Sequence, residues 1–565
     1  MFLLEVFTPD TNPLGSQALS ALVAALPILT MLVTLGGLRW KAHWAGLTSW
    51  AVALAVAVLA CRMPIQMAVS SSVQGFLYGL FPIVWILLTA IWMYQLTVIS
   101  GRFDDLRRTF FLISDDPRVL GILIAFCFGG LLEALAGFGA PVAIAAAMLI
   151  AVGFGKLRAA VTALVANTVP VAFGAVGLPV LQAAKTASLP EIPVATVTAR
   201  VCAALCLVVP FLMLAIMDGR KGVRECWPFG LFVGVVFGVT KVIVGGTAMY
   251  NLTEIIAAIV TVALALLFLR FWKPSGGAEA TKRIGIPMDE SVETEPVAAG
   301  AVDTTGLTGR RIMMALVPYI LVIVVFSVAS VPAIKKLLAR ANTAMPWPGL
   351  AELNAATATG AAAVASPHRS YTWLFLSQPG FLLALVAIAV GLIYRVPLPQ
   401  LFGELWVNVK KMRFSMLTIG FVVALAYVMG DSGQTLSLGL FIAGAGAVYP
   451  FVAPVLGWIG TYVTGSDTSA NILFSQLQST VGERITTSLG AESTRYLLVG
   501  SGASGGVVGK MISPQSLTIA ATAIGLAGSE SVILRRVFGY SLVLLAAMCL
   551  LAGLMSTPVL SWMVP

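Results

Sequence analysis

The chain has 565 residues, of which 59% are hydrophobic and only 10% charged, and its mean hydropathy is +0.97. These values exclude a soluble multidomain protein and define an all-α polytopic membrane protein held in a lipid bilayer. A net charge of +10 would suit a nucleic-acid partner, but the basic residues fall in short clusters between apolar runs. The bias of lysine and arginine towards the cytoplasm explains them, and no nucleic-acid partner is expected.

In chain order, a short acidic and polar leader (Glu5, Asp10) argues against a cleaved signal peptide. Spans follow at roughly 19–38, 44–60 and 76–98, so that 19–98 reads as scaffold. The connector GRFDDLRRTFFLISDDPR has the mixed charge of a solvated cytoplasmic loop. From Val119 the character changes. Glu133 sits inside an apolar run that Gly137, Gly139 and Pro141 then interrupt, and a second interruption follows at Asn167, Thr168 and Pro170, ending near Lys185. The span 119–190 is therefore a first broken-helix unit, with further helices over 196–272 completing an N-terminal half, 1–272.

A polar cytoplasmic linker without helical periodicity is expected over 273–311, and the C-terminal half is 312–565. It opens with a span from Ile312 to Val331 and a loose outer loop over 332–372, rich in Ala, Thr and Pro. Spans near 373–394 and 412–430 lead to Asp431, which reads as a solvated residue after a helix. A second broken-helix unit, 436–528, carries the polar stretch TGSDTSAN and the run YLLVGSGASGGVVGKMISPQSLTIAATA, and a last helix covers 537–557.

Assigning the basic clusters to the cytoplasm threads the chain with both termini outside; Lys335, Lys336, Arg340 and Arg369 are discordant. On this threading the first broken unit enters from inside at Arg118 and the second from outside near Asp431. The expected fold is thus about 12–14 transmembrane helices in two inverted repeats with broken helices or re-entrant hairpins, the binding site lying between them near the midplane.

The six cysteines read as core filling, and no metal or cofactor site is expected, since no metal-ligand spacing with histidine occurs. Only His43 and His368 are present, both near loops, so carboxylates must do any proton work.

Three stretches, GGLLEALAGFGAPVAIAAAMLI (129–150), GWIGTYVTGSDTSANILFSQLQ (457–478) and GVVGKMISPQSLTIA (506–520), strongly resemble the bacterial lactate permease family. The resemblance extends over essentially the full length. It implies a carrier of the bacterial cytoplasmic (inner) membrane, not an enzyme, that takes up L-lactate, and in relatives D-lactate and glycolate, by proton symport. It also implies an elevator-like movement of the transport domain, as in the wider ion transporter superfamily.

A 2-hydroxy monocarboxylate presents an anionic head, a hydroxyl and a small apolar tail. Backbone amides at the mouths of broken helices suit the head. The candidates are Gly137, Gly139 and Ala140; Gly465, Ser466 and Thr468; and Ser501, Ser504 and Gly505. Close helix packing is the competing explanation of these glycines, and is favoured for Gly129 and Gly130. Lys510 is the candidate for a full positive charge, against snorkelling to an interface; Lys185 is closer to a predicted outer end, where snorkelling is favoured. Asn167, Thr168, Ser469, Asn471, Ser513 and Gln515 offer neutral partners to the hydroxyl. Asp467 and Glu133 are the proton-coupling candidates, because a desolvated carboxylate changes its proton affinity as the site opens to either side. Their structural alternative is a hydrogen bond or ion pair, for instance Asp467 with Lys510. A sodium-coupled carboxylate carrier is the nearest rival reading. An intramembrane protease using Asp431 and Asp467, or a channel, is more remote.

Overall fold

The computed structural model of the chain describes residues 6–34, 38, 40–135, 140–289, 306–354, 365–526 and 528–565. The protein is helical almost throughout, and the named strands among the described residues are one antiparallel pair, Thr343–Pro346 with Ser370–Trp373. Nine described helices are long and apolar enough to cross a membrane, and the pair Lys156–Ala166 with Val171–Thr186, bent by 61°, makes a tenth candidate. The longest, Glu191–Gly245, is itself a hairpin. It turns at Asp218 and Gly219, and Gly230, Gly234 and Gly238 of its second arm press against Leu214, Cys206 and Ala203 of its first. Four other apolar helices, Gln17–Leu32, Ala140–Val152, Pro379–Ile393 and Gln434–Ala443, are only 10–17 residues long. At 1.5 Å per residue they stop short of roughly 30 Å of hydrocarbon. With the hairpin counted as two passes and the short apolar helices as partial ones, the described residues form the expected polytopic helical fold.

The helices form two bundles, and each draws on both halves of the chain. In one, Ala42–Leu59, Ile65–Tyr78 and Trp85–Ile99 pack with Gly309–Ser330, Pro379–Ile393 and Leu398–Asp431. Close approach there depends on missing side chains: a Cβ on Gly75 would meet Ala424 and Tyr427 at 2.9 Å, and one on Gly79 would meet Gly420 at 2.9 Å. In the other, the two broken-helix units pack against Glu191–Gly245, Thr253–Phe271 and Glu530–Met555. The bundles meet where Asp467–Arg484 lies against Leu398–Asp431 and where Gly174–Thr186 lies against Trp85–Ile99.

Several polar segments depart from expectation. The linker begins with a helix, Gly277–Ile284, whose Ala280 and Ile284 are buried one turn apart. Arg283 binds Asp218 at 2.6 Å, and the Ser275 carbonyl accepts a 2.6 Å hydrogen bond from Arg118. Residues 290–305 of the linker lie outside the described residues. The outer loop is likewise held down, by the helix Pro332–Ala339, by the strand pair, and by bonds from Trp347 Nε1 to the Ser70 carbonyl (3.2 Å) and from Gln74 Nε2 to the His368 carbonyl (3.0 Å). Asp431 is buried rather than solvated, because Ser71 Oγ donates to it at 2.6 Å and His368 Nδ1 lies 2.8 Å away. Arg118 too is buried, among Asp116, Asp218 and Glu225.

Candidate functional site

Helices in both broken units are interrupted, and the interruptions face one another. Glu133 lies in Gly129–Leu135 and Ala140–Val152 follows; Gly137 and Gly139, where a first break is expected, lie outside the described residues. Lys156–Ala166 gives way to Gly174–Thr186 through a turn in which Ala175, Val176 and Gly177 have φ of 44°, 57° and 73°. Left-handed backbone at a β-branched residue such as Val176 is costly, of order 1–2 kcal/mol, and persists only where the surroundings enforce it. Tyr449–Thr464 stops at Gly465 (φ +72°), whose left-handed conformation glycine adopts without strain, and Ser466 caps Asp467–Arg484 by accepting from Ser469 N. Ala491–Lys510 ends at Lys510, and Ser513 caps Pro514–Ala523 by accepting from Ser516 N.

A cavity of about 40 Å³ lies between these ends. Glu133, Gly174, Ala175, Gly465 to Thr468 and Lys510 line it, with Leu87 from the opposite bundle. Lys510 Nζ is 2.5 Å from Glu133 Oε1, and Asn167 Nδ2 donates to Glu133 Oε2 at 3.0 Å. Lys510 thus pairs with Glu133, not with Asp467. Thr461 Oγ1 donates a weak hydrogen bond to Asp467 Oδ1 at 3.3 Å, and Asp467 Oδ2 is buried without a close hydrogen-bond partner among the described residues. The first amides of Asp467–Arg484 open at this end as well, because the first turn of a helix has unpaired N–H groups. Lys510, Glu133 and Asp467, all buried, sum to one negative charge when all are ionised. A place this small holds a few waters at most, so accepting an organic acid requires its walls to part.

The remaining expected residues separate into groups. Asn471 Nδ2 donates to the Pro179 carbonyl at 3.1 Å and ties the two units together. Thr168 Oγ1 is spent on the Val165 carbonyl at 2.7 Å, and exposed Gln515 lies over Gly465. Ser469 and Ser513 act at helix caps, and half-buried Ala140 starts its helix. Ser501, Ser504 and Gly505 sit inside an unbroken helix, away from the cavity. A Cβ on Gly505 would collide with the Pro454 carbonyl, one on Gly457 with the Gly502 carbonyl, and Ser504 Oγ donates to the Gly500 carbonyl at 2.8 Å. This run is a packing stripe.

One ion pair escapes the sequence reading. Lys241 and Glu254, both fully buried, lie 2.5 Å apart, and Lys241 Nζ also donates to the Val169 carbonyl at 2.7 Å inside the second interruption. The signal was available as two opposite charges placed within apolar runs.

Interrupted helices converging from two units on buried charges make this a multi-pass membrane transporter, not an enzyme. A family model described as L-lactate permease matches residues 20–559, and the chain belongs to that family. It is 37% identical to the glycolate permease GlcA of Escherichia coli K12, over 96% of each chain. It is 36% identical to the L-lactate permease of Bacillus subtilis 168, over 99% of this chain and 100% of that one. The Escherichia coli K12 L-lactate permease is 34% identical, over the full length of both. Among solved structures, the Alcanivorax borkumensis YdaH transporter matches 70% of this chain and 84% of its own at 16% identity and a TM-score of 0.29, too remote to bear on the fold.

Proposed function

We propose that the protein takes up L-lactate, and with it D-lactate or glycolate, across the bacterial cytoplasmic membrane in symport with protons. The names of its relatives support the substrate class. The charge balance of the cavity supports the coupling: Lys510 faces Glu133 and Asp467, so an entering carboxylate raises the buried charge from one negative to two unless a proton enters with it. Each uncompensated buried ion costs several kcal/mol, which makes proton and anion bind together or not at all.

In this reading Lys510 exchanges Glu133 for the substrate carboxylate. The open amides at Asp467 and Thr468 share the anion's charge. Asp467, with one oxygen unengaged, carries the proton, and Glu133 is the second proton-coupling candidate. Movement of the bundle that carries the interruptions against the other, elevator-like, delivers the site to either side. The inverted relation of the repeats and the division of the chain into 1–272, 273–311 and 312–565 belong to the same proposal.

The test is uptake of radiolabelled L-lactate into proteoliposomes with an imposed pH gradient, with and without sodium, competed by short carboxylates. Accumulation that follows the pH gradient and ignores sodium is expected. Accumulation that needs sodium at fixed pH, or equilibration without proton movement, overturns the coupling.

A further inference from the structure

A second and larger cavity, about 280 Å³, opens between the two bundles beside the 332–372 connector. It and the small cavity share helices. Ile83 lines the larger and Leu87 the smaller; Pro179 lines the smaller and Gln182 the larger; Thr468 lines the smaller and Ile472 the larger. Each pair is three or four residues apart, which on one helix face is a single turn. The large cavity is therefore an antechamber stacked one turn away from the small one, with the apolar Ile83, Leu87 and Ile472 between.

Its polar groups are unequally satisfied. Asp431 is held by Ser71 and His368, and Glu483 faces Arg495 at 3.4 Å. Lys185, in the last turn of Gly174–Thr186, lines the cavity with no carboxylate within ion-pair distance among the described residues. A lysine at a helix C-terminus is ordinary by itself. Gln182, one turn earlier, is not: it is 1% exposed, and neither its Nε2 nor its Oε1 has a hydrogen-bond partner among the described residues. A buried amide with donor and acceptor both idle is destabilising unless something visits it.

We infer that Gln182 and Lys185 form a staging site for a 2-hydroxy monocarboxylate in this antechamber, distinct from the cavity at Lys510. The Lys185 ammonium takes the carboxylate, and the Gln182 amide, able to donate and accept at once, takes the substrate's hydroxyl. The inference rests on the transport reading above, and the 280 Å³ of space accommodates a three-carbon acid with some of its water.

The experiment measures uptake in proteoliposomes with protein of defined orientation, varying L-lactate separately on the connector side and on the opposite side. For Lys185→Ala, KM on the connector side should rise about tenfold, as expected for loss of roughly 1.4 kcal/mol. KM on the opposite side should stay at the wild-type value, and Lys185→Arg should restore most of the affinity. Gln182→Leu should raise KM for lactate while leaving inhibition by propionate, which lacks the hydroxyl, unchanged. Lys335→Ala, removing an exposed positive charge from the connector, serves as the control for general attraction of anions and should leave KM unaltered. Wild-type transport with unchanged connector-side KM in both Lys185→Ala and Gln182→Leu overturns the staging site alone. So does an equal rise on both sides, which would assign the effect to the shared cavity. A wild-type protein that carries no 2-hydroxy acid overturns the substrate reading itself, and the staging site with it.

Discussion

At the scale of single residues, the decisive feature is that Lys510 is shared between a fixed partner and a proposed visiting one. Replacing it with alanine leaves Glu133 buried without a cation, which costs about 3–5 kcal/mol unless Glu133 takes a proton. Lys510→Ala should therefore lose both lactate accumulation and thermal stability in detergent. Adding Glu133→Gln should recover the stability but not the transport; recovery of both would make the pair purely structural. Asp467→Asn keeps the shape of a side chain that has one oxygen unengaged. It should leave the fold intact and lactate exchange measurable, while accumulation driven by a pH gradient disappears. Full pH-driven accumulation in that variant would move the proton to another group. All three charges were visible in the sequence because each interrupts an apolar run near glycine or proline. Their pairing was not, since Glu133 and Lys510 are separated by 377 positions and only packing of the two units decides which carboxylate the lysine meets.

The helices extend this lesson. Gly465 and the SGASGG run look alike as strings, yet one is a break with φ of +72° and the other a continuous helix pressed against Tyr449–Thr464. Glycine removes a Cβ, and the sequence does not say whether the chain uses that freedom to turn or to come close. Lys241 and Glu254 passed unnoticed for a related reason: one charge barely lowers the hydropathy of a 20-residue run. Their pair fixes the Val169 carbonyl in the interrupted hairpin, so its removal acts on that element. Lys241→Met should cost about 3–5 kcal/mol by stranding Glu254, whereas Lys241→Met with Glu254→Leu should return close to wild-type stability. Thermal unfolding followed by tryptophan fluorescence distinguishes the two. If the double variant also transports normally, the pair only supports the hairpin; if it is stable and inactive, the position of the Val169 carbonyl matters to the site.

Over the whole molecule, the apolar runs marked the class of protein and the breaks at Gly465 and around Asn167, but not the continuity of the helix through residues 501–506, while the partition into two bundles is long-range and left no local trace. The connector over 332–372 was read as loose because its alanines and prolines lack periodicity, yet Trp347 and His368 pin it to one bundle through Ser70, Gln74 and Asp431 at the edge of the large cavity. His368 is the titratable part of that clasp. Its ring stacks on Tyr427 with centroids 4.1 Å apart, its Nδ1 is 2.8 Å from Asp431, and Lys185 and Glu483 line the same cavity. Burial disfavours the imidazolium, but the charge of Asp431 and its hydrogen bond outweigh burial, so the proton affinity of His368 is raised above its ordinary value. A raised value in the folded state means that protonation and folding favour each other. The stabilisation is fully present below the unfolded value of about 6.5 and is lost as pH rises through the higher folded one. Thermal stability of wild type relative to His368→Phe should therefore be greatest in mildly acidic buffer and shrink as pH climbs past that window, and Asp431→Asn should abolish the pH dependence of the difference. A stability gap that widens with rising pH would mean that the ring is held neutral, with its Nδ1–H donating to the carboxylate.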